Sequence, residues 1–319
     1  MGPESNCHVV LVIFSVFIPC TVLILMKFSI IIPTCDRPDR LDHCLVSLSK
    51  LEFPTENFEV VVVDDGSQEP LDTVVGEFDD QLNISLLRTS NQGPAAARNT
   101  GAEHAKGEFL AFTDDDCEAD ENWLNRLDDV FTEFGECMIG GRTINRLTKN
   151  YFSMSSQFIV DLAYSFYNRD CKNAKFFASN NMALTAHLYK KLGGFDADFR
   201  IASEDRDLCD RCRFERNRLV YEPEAVIWHS HSLSFLRFWR QHFRYGRGAA
   251  RFHRVRASRG SGRIFHDFSF HLFFPQLFLD RCREMKWTDC VVLIPILLVW
   301  QFANALGFGF EFVAGDRVK

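Results

Sequence analysis

The sequence predicts an α/β fold in which a mostly parallel sheet is flanked by helices. In the first half of the chain, short apolar runs rich in β-branched residues alternate with segments of helical periodicity, the pattern of repeated βαβ units. Two of these runs end directly in acidic clusters, at the sheet edge where such folds bind ligands. The 319 residues are 46% hydrophobic and 25% charged, which fits a globular protein and excludes a disordered or collagenous one.

Each predicted element follows from its local pattern. The first strand is an apolar, β-branched run that ends at a proline, and the second has the same apolar character. Segments with helical periodicity separate the strands. In chain order we predict strand 28–33, helix 40–51, strand 58–63, helix 71–78, strand 84–87, helix 95–105 and strand 109–113, with a later strand at 225–227.

The acidic clusters point to a divalent cation. Asp64 and Asp65 follow the second strand, and Asp114, Asp115 and Asp116 follow the fourth. Carboxylate oxygens suit hard cations such as Mg²⁺. Because Asp114 and Asp116 are two residues apart in a turn, both can face one ion, which would also bind a diphosphate.

An anion site is expected beside this cluster. The segment 91–94 precedes helix 95–105, so its backbone N–H groups and the positive end of the helix favour a negatively charged ligand. Arg98 lies one turn into that helix. Other chemistries lack their motifs, because neither a dinucleotide-binding G-x-G-x-x-G after the first strand, nor a P-loop, nor a G-x-S-x-G elbow is present.

Six motifs follow one another in the region 28–232. They are SIIIPT at 29–34, VVDDGS at 62–67, NQGPAAARNTG at 91–101, FTDDD at 112–116, GGFD at 193–196 and SEDRDL at 203–208. In this order they make residues 28–232 resemble the glycosyltransferases of family 2, which have the GT-A fold. The resemblance implies a Rossmann-like α/β domain that transfers a sugar from a nucleotide-diphosphate donor with inversion.

The resemblance also implies roles for the donor-binding residues. Asp36 and Asp65 match positions that contact the base and ribose of the nucleotide. Arg98 and Asp114 are assigned to the nucleotide sugar as well, and Asn181 matches a position near the donor sugar and the acceptor.

Metal and catalytic roles follow in the same way. Asp114 and Asp116 match the ends of the D-x-D motif that holds Mg²⁺ or Mn²⁺, and His229 or His231 is a candidate further ligand. Asp205 matches the catalytic base, with Glu204 beside it near the acceptor. This agrees with chemistry, since inverting transfer needs a carboxylate to accept the proton of the acceptor hydroxyl.

An arginine-rich arm follows the catalytic region. Between residues 234 and 263 there are nine arginines and no acidic residue, although the formal net charge of the chain is −7. We expect a helix lying on an anionic membrane or holding a lipid-linked acceptor, because steps of three and four residues place the arginines in one stripe. The stripe comprises Arg237, Arg240, Arg244, Arg247, Arg251 and Arg254. Within it, QHFRY at 241–245 resembles the Q-x-x-R-W motif of polymer-making relatives, but tyrosine replaces tryptophan, which argues against processive synthesis.

Four regions result. Residues 1–26 form an apolar segment, which is either an anchor or an upstream extension that precedes a true start at Met26. The catalytic domain is expected at 27–232, and the arginine-rich arm at 233–263. Residues 264–319 contain a Phe-rich interfacial segment and a membrane helix at about 290–310. The eleven cysteines are expected to be reduced. We therefore expect a membrane-associated protein with its catalytic domain on the cytoplasmic side.

The expected partners are a nucleotide-diphospho-sugar donor, a glycan or lipid-linked acceptor and an anionic membrane surface. The acidic net charge argues against nucleic acid. Two alternatives stay open: a membrane-tethered carbohydrate-binding protein on an inactive transferase fold, and a nucleotidyltransferase of similar fold. The second normally carries a glycine-rich basic loop after the first strand, and this chain has none there.

Overall fold

The computed structural model describes residues 26–262, 265–283 and 285–315, so the apolar segment 1–25 lies outside the described part. A single eight-stranded sheet is covered by helices. The strands are β1 (Phe28–Thr34), β2 (Phe58–Asp64), β3 (Ile84–Arg88), β4 (Phe109–Phe112), β5 (Cys117–Ala119), β6 (Met138–Asn145), β7 (Met182–Thr185) and β8 (Leu219–His229). The α-helices are α1 (Pro38–Leu48), α2 (Asp72–Gly76), α3 (Pro94–His104), α4 (Trp123–Phe134), α5 (Tyr151–Tyr167), α6 (Ala186–Leu192), α7 (Glu204–Phe214), α8 (Phe235–Arg259), α9 (Phe265–Cys282) and α10 (Trp287–Gly315).

The sheet has the order β3-β2-β1-β4-β7-β6-β8-β5. Its first four strands pair in parallel, as the alternation of strands and helices predicts. The second half of the chain adds a parallel pair, β6 with β8, and antiparallel pairs of β7 with β4, β7 with β6, and β5 with β8. The sheet is therefore mixed, with a parallel block that carries the acidic loops.

Both faces of β1, β2 and β4 are buried, whereas β3, at the edge of the sheet, is partly exposed. Successive side chains of β1 alternate between two hydrophobic clusters: Ile30 and Ile32 pack in one, and Ile31 in the other with Val61 and Val63 of β2. This explains why the strands read as continuous apolar runs rather than as alternating patterns. Since both faces are covered by protein, the open edge at the carboxyl ends of the strands is left for a ligand.

The C-terminal helices pack against the catalytic domain. Helix α10 runs against α8 so closely that a Cβ on Gly246 would lie 2.0 Å from the carbonyl oxygen of Asn304, and one on Gly307 would lie 2.0 Å from that of Phe243. One face of α10, including Leu293 and Trp300, is buried. The opposite face is apolar and exposed, with Val291, Ile294, Leu298, Phe302, Leu306, Phe310 and Val313.

By length and apolar character, Trp287–Ala314 is the single helix in the described ranges that could cross a bilayer. It covers the predicted segment 290–310, but its close packing on α8 ties it to the catalytic domain.

The arginine stripe on α8 differs from the expected free cationic surface. Arg247 and Arg254 both pair with Glu311 of α10, at 2.8 and 3.5 Å. Arg251 pairs with Asp198 at 3.3 Å. The expectation of one continuous membrane-binding stripe is therefore wrong for these three, because sequence spacing does not show which acidic side chains fold against a helix. The other three, Arg237, Arg240 and Arg244, are exposed.

Candidate active site

A cavity of about 980 Å³ lies at the carboxyl ends of β1 and β4. Its walls include the acidic loop after β4, the start of α7 and faces of α5, α8, α9 and α10. The predicted residues Asp65, Arg98, Asp114, Asp116 and Asp205 all line it. Asp65 and Asp205, which are 140 residues apart in sequence, thus meet at one edge of the sheet, where open α/β sheets bind ligands.

Asp115 is the buried member of the acidic loop. Its carboxylate accepts hydrogen bonds from Thr34 Oγ1 at 2.8 Å and from Arg37 Nη1 at 3.0 Å. Burial raises the pKa of Asp115 to about 6, although Arg37 opposes the shift. These bonds tie the loop after β4 to the end of β1, so Asp115 has a structural role that positions its two neighbours.

Asp116 faces a histidine and an arginine. It accepts from Arg40 Nη1 at 2.8 Å and from His229 Nε2 at 3.1 Å. Burial alone would raise the pKa of Asp116, but the hydrogen bond and charge of His229 hold it well below its usual range. Burial would likewise lower the pKa of His229, yet its bond to Asp116 raises it.

These residues fit a divalent cation. Among the described residues, Asp116, Cys117 and His229 bring ligand atoms within 4.8 Å of one another. Burial raises the pKa of the Cys117 thiol far above its usual value, so it stays protonated and is a poor ligand. Asp114, on the same loop, is 30% exposed. The Asp116 carboxylate with the neighbouring His229 imidazole suits a divalent cation such as Mg²⁺ or Mn²⁺, and Asp114 is a further candidate ligand on the same loop.

The second candidate histidine lies nearby. His231 lines the cavity, and its ring centroid is 5.2 Å from that of His229. Burial and the neighbouring His229 lower the pKa of His231 to about 4, so its ring is neutral. Of the two histidines, His229 is the one in contact with Asp116.

Arg98 joins the acidic loop after β4 to the start of α7. Its Nη2 donates to Asp114 at 2.6 Å, and its Nη1 donates to Glu204 at 3.3 Å. The side chain is buried, and its guanidinium carbon lies 5.5 Å from the centre of the Phe195 ring. The sequence suggested a contact with the nucleotide sugar, which stays a prediction. The observed role is to hold two carboxylate loops together.

Asp205 is placed at the start of α7. Ser203, the residue that directly precedes α7, has a left-handed backbone with φ +80°. Burial and the charge of Glu204 raise the pKa of Asp205 to about 7. A carboxyl group that titrates near neutral pH is suited to accept a proton and release it again.

Asp65 and Asp36 differ in their surroundings. The carboxylate of Asp65 accepts from the backbone N–H of Gln92 at 2.9 Å and of Gly93 at 2.7 Å. The expectation that these amides are available to an anion is therefore wrong. Asp36 does not line the cavity, although its neighbours Cys35 and Arg37 do, and it accepts from the N–H of Gln68 at 2.7 Å.

Asn181 does not reach the cavity. It is fully buried, accepts from Trp123 Nε1 at 3.0 Å, and donates to the carbonyl oxygens of Arg142 and Ala225 at 3.1 and 2.9 Å. Those carbonyls lie beside the register shift between β6 and β8. The predicted contact of Asn181 with the donor sugar is therefore wrong. Its neighbour Asn180 lines the cavity instead.

Several cavity residues on α8 were not among the predicted site residues. Gln241, His242 and Tyr245 line the cavity together with Arg244. The resemblance of QHFRY at 241–245 to the Q-x-x-R-W motif is the sequence signal that indicates these residues. The tyrosine of this motif, Tyr245, is 46% exposed, and the negative charges of Asp205, Glu204 and Asp114 act on its hydroxyl group.

Curated relatives resemble parts of the chain. Glycosyltransferase AglE of Haloferax volcanii is 36% identical over 116 residues, 35% of this chain and 38% of that protein. The pre-mycofactocin glycosyltransferase of Mycobacterium tuberculosis is 30% identical over 237 residues, 70% of this chain and 46% of that one. The chain thus spans less than half the length of either relative.

The fold is shared with a solved transferase. The mannosyltransferase PcManGT from Pyrobaculum calidifontis, solved in complex with GDP-Man and Mn²⁺, superposes with a TM-score of 0.67 over 90% of this chain and 87% of that one, at 17% identity. This confirms the predicted GT-A architecture. Residues 29–193 match the model of the family described as Glycosyl transferase family 2. Since the match covers more than half of the sequence, the chain belongs to that family.

Proposed function

We propose that this protein transfers a sugar from a nucleotide-diphosphate donor to a hydroxyl acceptor, with inversion and with the help of a divalent cation. The observation that carries the proposal is the bridge made by Arg98. It holds Asp114, from the acidic loop, and Glu204, next to Asp205, in one cavity. A diphosphate bound at the acidic loop would therefore present its sugar to Asp205 at the start of α7.

Asp205 acts as the general base in this proposal. It takes the proton of the acceptor hydroxyl as the oxygen attacks the sugar carbon from the side opposite the diphosphate. Asp114, Asp116 and His229 would hold Mg²⁺ or Mn²⁺, which would supply positive charge beside the leaving diphosphate. Arg98 keeps Asp114 and Glu204 at a fixed separation and so sets the distance between the two halves of the site.

Selection of the donor is assigned to the residues expected to contact the base and ribose of the nucleotide, Asp65 and Asp36. We propose that Asp65 contacts the nucleotide from the cavity wall, and that Asp36, on the rim next to Cys35 and Arg37, contacts it only after the donor has bound. A glycan or a lipid-linked sugar is the acceptor class expected for the opposite wall. The family relationship supports both proposals without naming the base or the sugar.

A panel of nucleotide sugars tests the function. Released nucleoside diphosphate is measured with Mg²⁺, with Mn²⁺ and with EDTA, and the anomeric configuration of the product is read by NMR. We expect turnover with at least one donor, inverted configuration and loss of turnover in EDTA. Donor binding without turnover on any acceptor would favour the carbohydrate-binding alternative, and retained configuration would refute the role of Asp205.

We further propose that the protein lies on a membrane surface with its catalytic domain on the cytoplasmic side. The exposed apolar face of α10 supports this, because such a face needs an apolar medium to cover it. Since α10 packs along α8, an orientation parallel to the membrane is favoured over a free span. The nine described cysteines are all free thiols, which is compatible with a reducing compartment.

Vesicle sedimentation tests the membrane contact. Leu298 and Phe302 are 66% and 60% exposed, so replacing both by Glu should release the protein from vesicles without harming the core. The matched variant replaces the exposed Arg237 and Arg240 by Gln and should weaken binding only to anionic vesicles. Unchanged sedimentation of the Leu298 and Phe302 variant would show that α10 does not contact lipid.

A further inference from the structure

His242 is a buried polar side chain without a partner. It is 2% exposed on α8 and lines the cavity. Within the described ranges, neither Nδ1 nor Nε2 has a hydrogen-bond partner. A neutral imidazole carries one N–H donor and one acceptor nitrogen. Because burying both unpaired costs free energy, the arrangement indicates that a ligand supplies the missing partner.

The ring of His242 is held in a fixed position by aromatic neighbours. Its centroid is 4.3 Å from that of Phe238 and 5.5 Å from that of Tyr245, both in edge-to-face geometry. Tyr245 lies on the same cavity wall, near enough to Asp205 for the two to interact electrostatically. A ligand that contacts His242 can therefore extend past Tyr245 to the catalytic carboxylate.

Helices α5, α9 and α10 form an uncharged part of the cavity wall. The cavity residues that they supply include no Asp, Glu, Lys or Arg among those described. The large apolar and aromatic members are Ile159, Tyr167, Phe270, Trp300 and Phe308, and polar members such as Gln157, Gln301 and Asn304 lie among them. The acidic side chains of the cavity come from the loop after β2, the acidic loop and the start of α7, and Arg244 is a charged member on α8. The cavity thus has an acidic part and an uncharged, mostly apolar part.

We propose that the apolar part is an acceptor subsite, and that the acceptor is amphipathic: an apolar aglycone occupies the compartment between α5, α8, α9 and α10, and a hydroxyl or ether group at the head of the aglycone bonds to His242. This inference rests on the proposed transferase function and adds the acceptor class to it. The charged half of the cavity suits the diphosphate donor, so the uncharged half is left for the acceptor.

Matched acceptors test the proposal. Transfer to a free sugar is compared with transfer to its octyl and phenyl β-glycosides below their micelle concentrations. We expect the acceptor KM of the glycosides to be lower by about tenfold or more, since burial of each CH₂ group favours binding. Binding of octyl glycoside is also measured directly by equilibrium dialysis without donor, which keeps the test independent of turnover.

His242 variants separate hydrogen bonding from shape. His242→Phe removes both polar atoms and should raise the acceptor KM about tenfold while leaving the donor KM unchanged. His242→Gln keeps one donor and one acceptor group and should restore part of the affinity. Circular dichroism and thermal unfolding of both variants show whether the fold is intact, and direct binding of octyl glycoside to folded variants gives the same ranking without catalysis.

The outcomes distinguish this inference from the function itself. Turnover with equal KM for free sugar and glycosides, or octyl glycoside binding that His242→Phe leaves unchanged, overturns the subsite. Octanol that binds as tightly as octyl glycoside also overturns it, because the compartment would then hold any lipid chain rather than the acceptor. Absence of donor binding and turnover, with octyl glycoside still bound, refutes the proposed transferase function and leaves the apolar site standing.

Discussion

Asp205 should give the transferase a steep dependence on pH near neutrality. Its pKa is raised from the usual value of about 4 to about 7 by burial and by Glu204. A general base works only when deprotonated, so kcat/KM should rise tenfold per pH unit below pH 7 and level off above it. At pH 5 the rate should be about 1% of the plateau, whereas an ordinary aspartate would leave it almost undiminished.

Two substitutions isolate the cause. Asp205→Asn keeps the shape of the side chain but cannot accept the proton, so kcat should fall about 10²–10⁴-fold while the donor Kd, measured by calorimetry, changes little. Glu204→Gln removes the like charge beside Asp205, so the acidic limb should move to lower pH by about one unit.

Asp115→Asn is the matched control. The pKa of Asp115 is raised to about 6, so its carboxyl titrates in the same range, but it contacts Thr34 and Arg37 and not Glu204. The limb near pH 7 should persist in this variant. A limb that disappears in Asp115→Asn, or that stays in place in Glu204→Gln, would refute the assignment of Asp205.

Three further changes test other parts of the site. Arg98→Met leaves the carboxylates of Asp114 and Glu204 without their shared partner. The free energy of unfolding in urea should therefore fall by about 3–5 kcal/mol, and transfer should be lost. Unchanged stability would contradict the role of Arg98 as a bridge. Asp116→Ala should abolish metal-stimulated turnover with the fold intact by circular dichroism, and a variant that still responds to Mn²⁺ would contradict its ligand role. Asn181→Leu should destabilise the protein by about 2–4 kcal/mol, because the indole of Trp123 and two backbone carbonyls lose their hydrogen bonds. Asn180→Ala, in contrast, should change the KM for donor or acceptor with little loss of stability. Equal stability of the two asparagine variants would refute the distinction.

The first half of the fold follows from local pattern. The predicted strands 28–33, 58–63, 84–87 and 109–113 agree with β1 to β4 to within one residue at each end. The signal is strongest for β1 and β2, because their apolar β-branched runs are buried on both faces. Helix ends were less accurate: predicted helix 40–51 is Pro38–Leu48, since proline is favoured in the first helical turn.

The location of the site also follows from sequence. Acidic clusters directly after parallel strands must meet at one sheet edge, and Asp65, Asp114 and Asp116 do line one cavity. Helical steps of three and four residues correctly predicted a helix through the arginine stripe, which is α8. These features depend on periodicity and chain direction, which are properties of the sequence alone.

What only the tertiary structure decided is which side chains are left free to act. Neighbouring asparagines have different surroundings, since Asn181 bonds to the carbonyl oxygens of Arg142 and Ala225 in the core, whereas Asn180 lines the cavity. Arg98 binds Asp114 and Glu204, which are 16 and 106 residues away. Arg247 is occupied by Glu311. In each case the partner is brought by a distant segment, and local sequence carries no information about contacts that form only when such segments pack together.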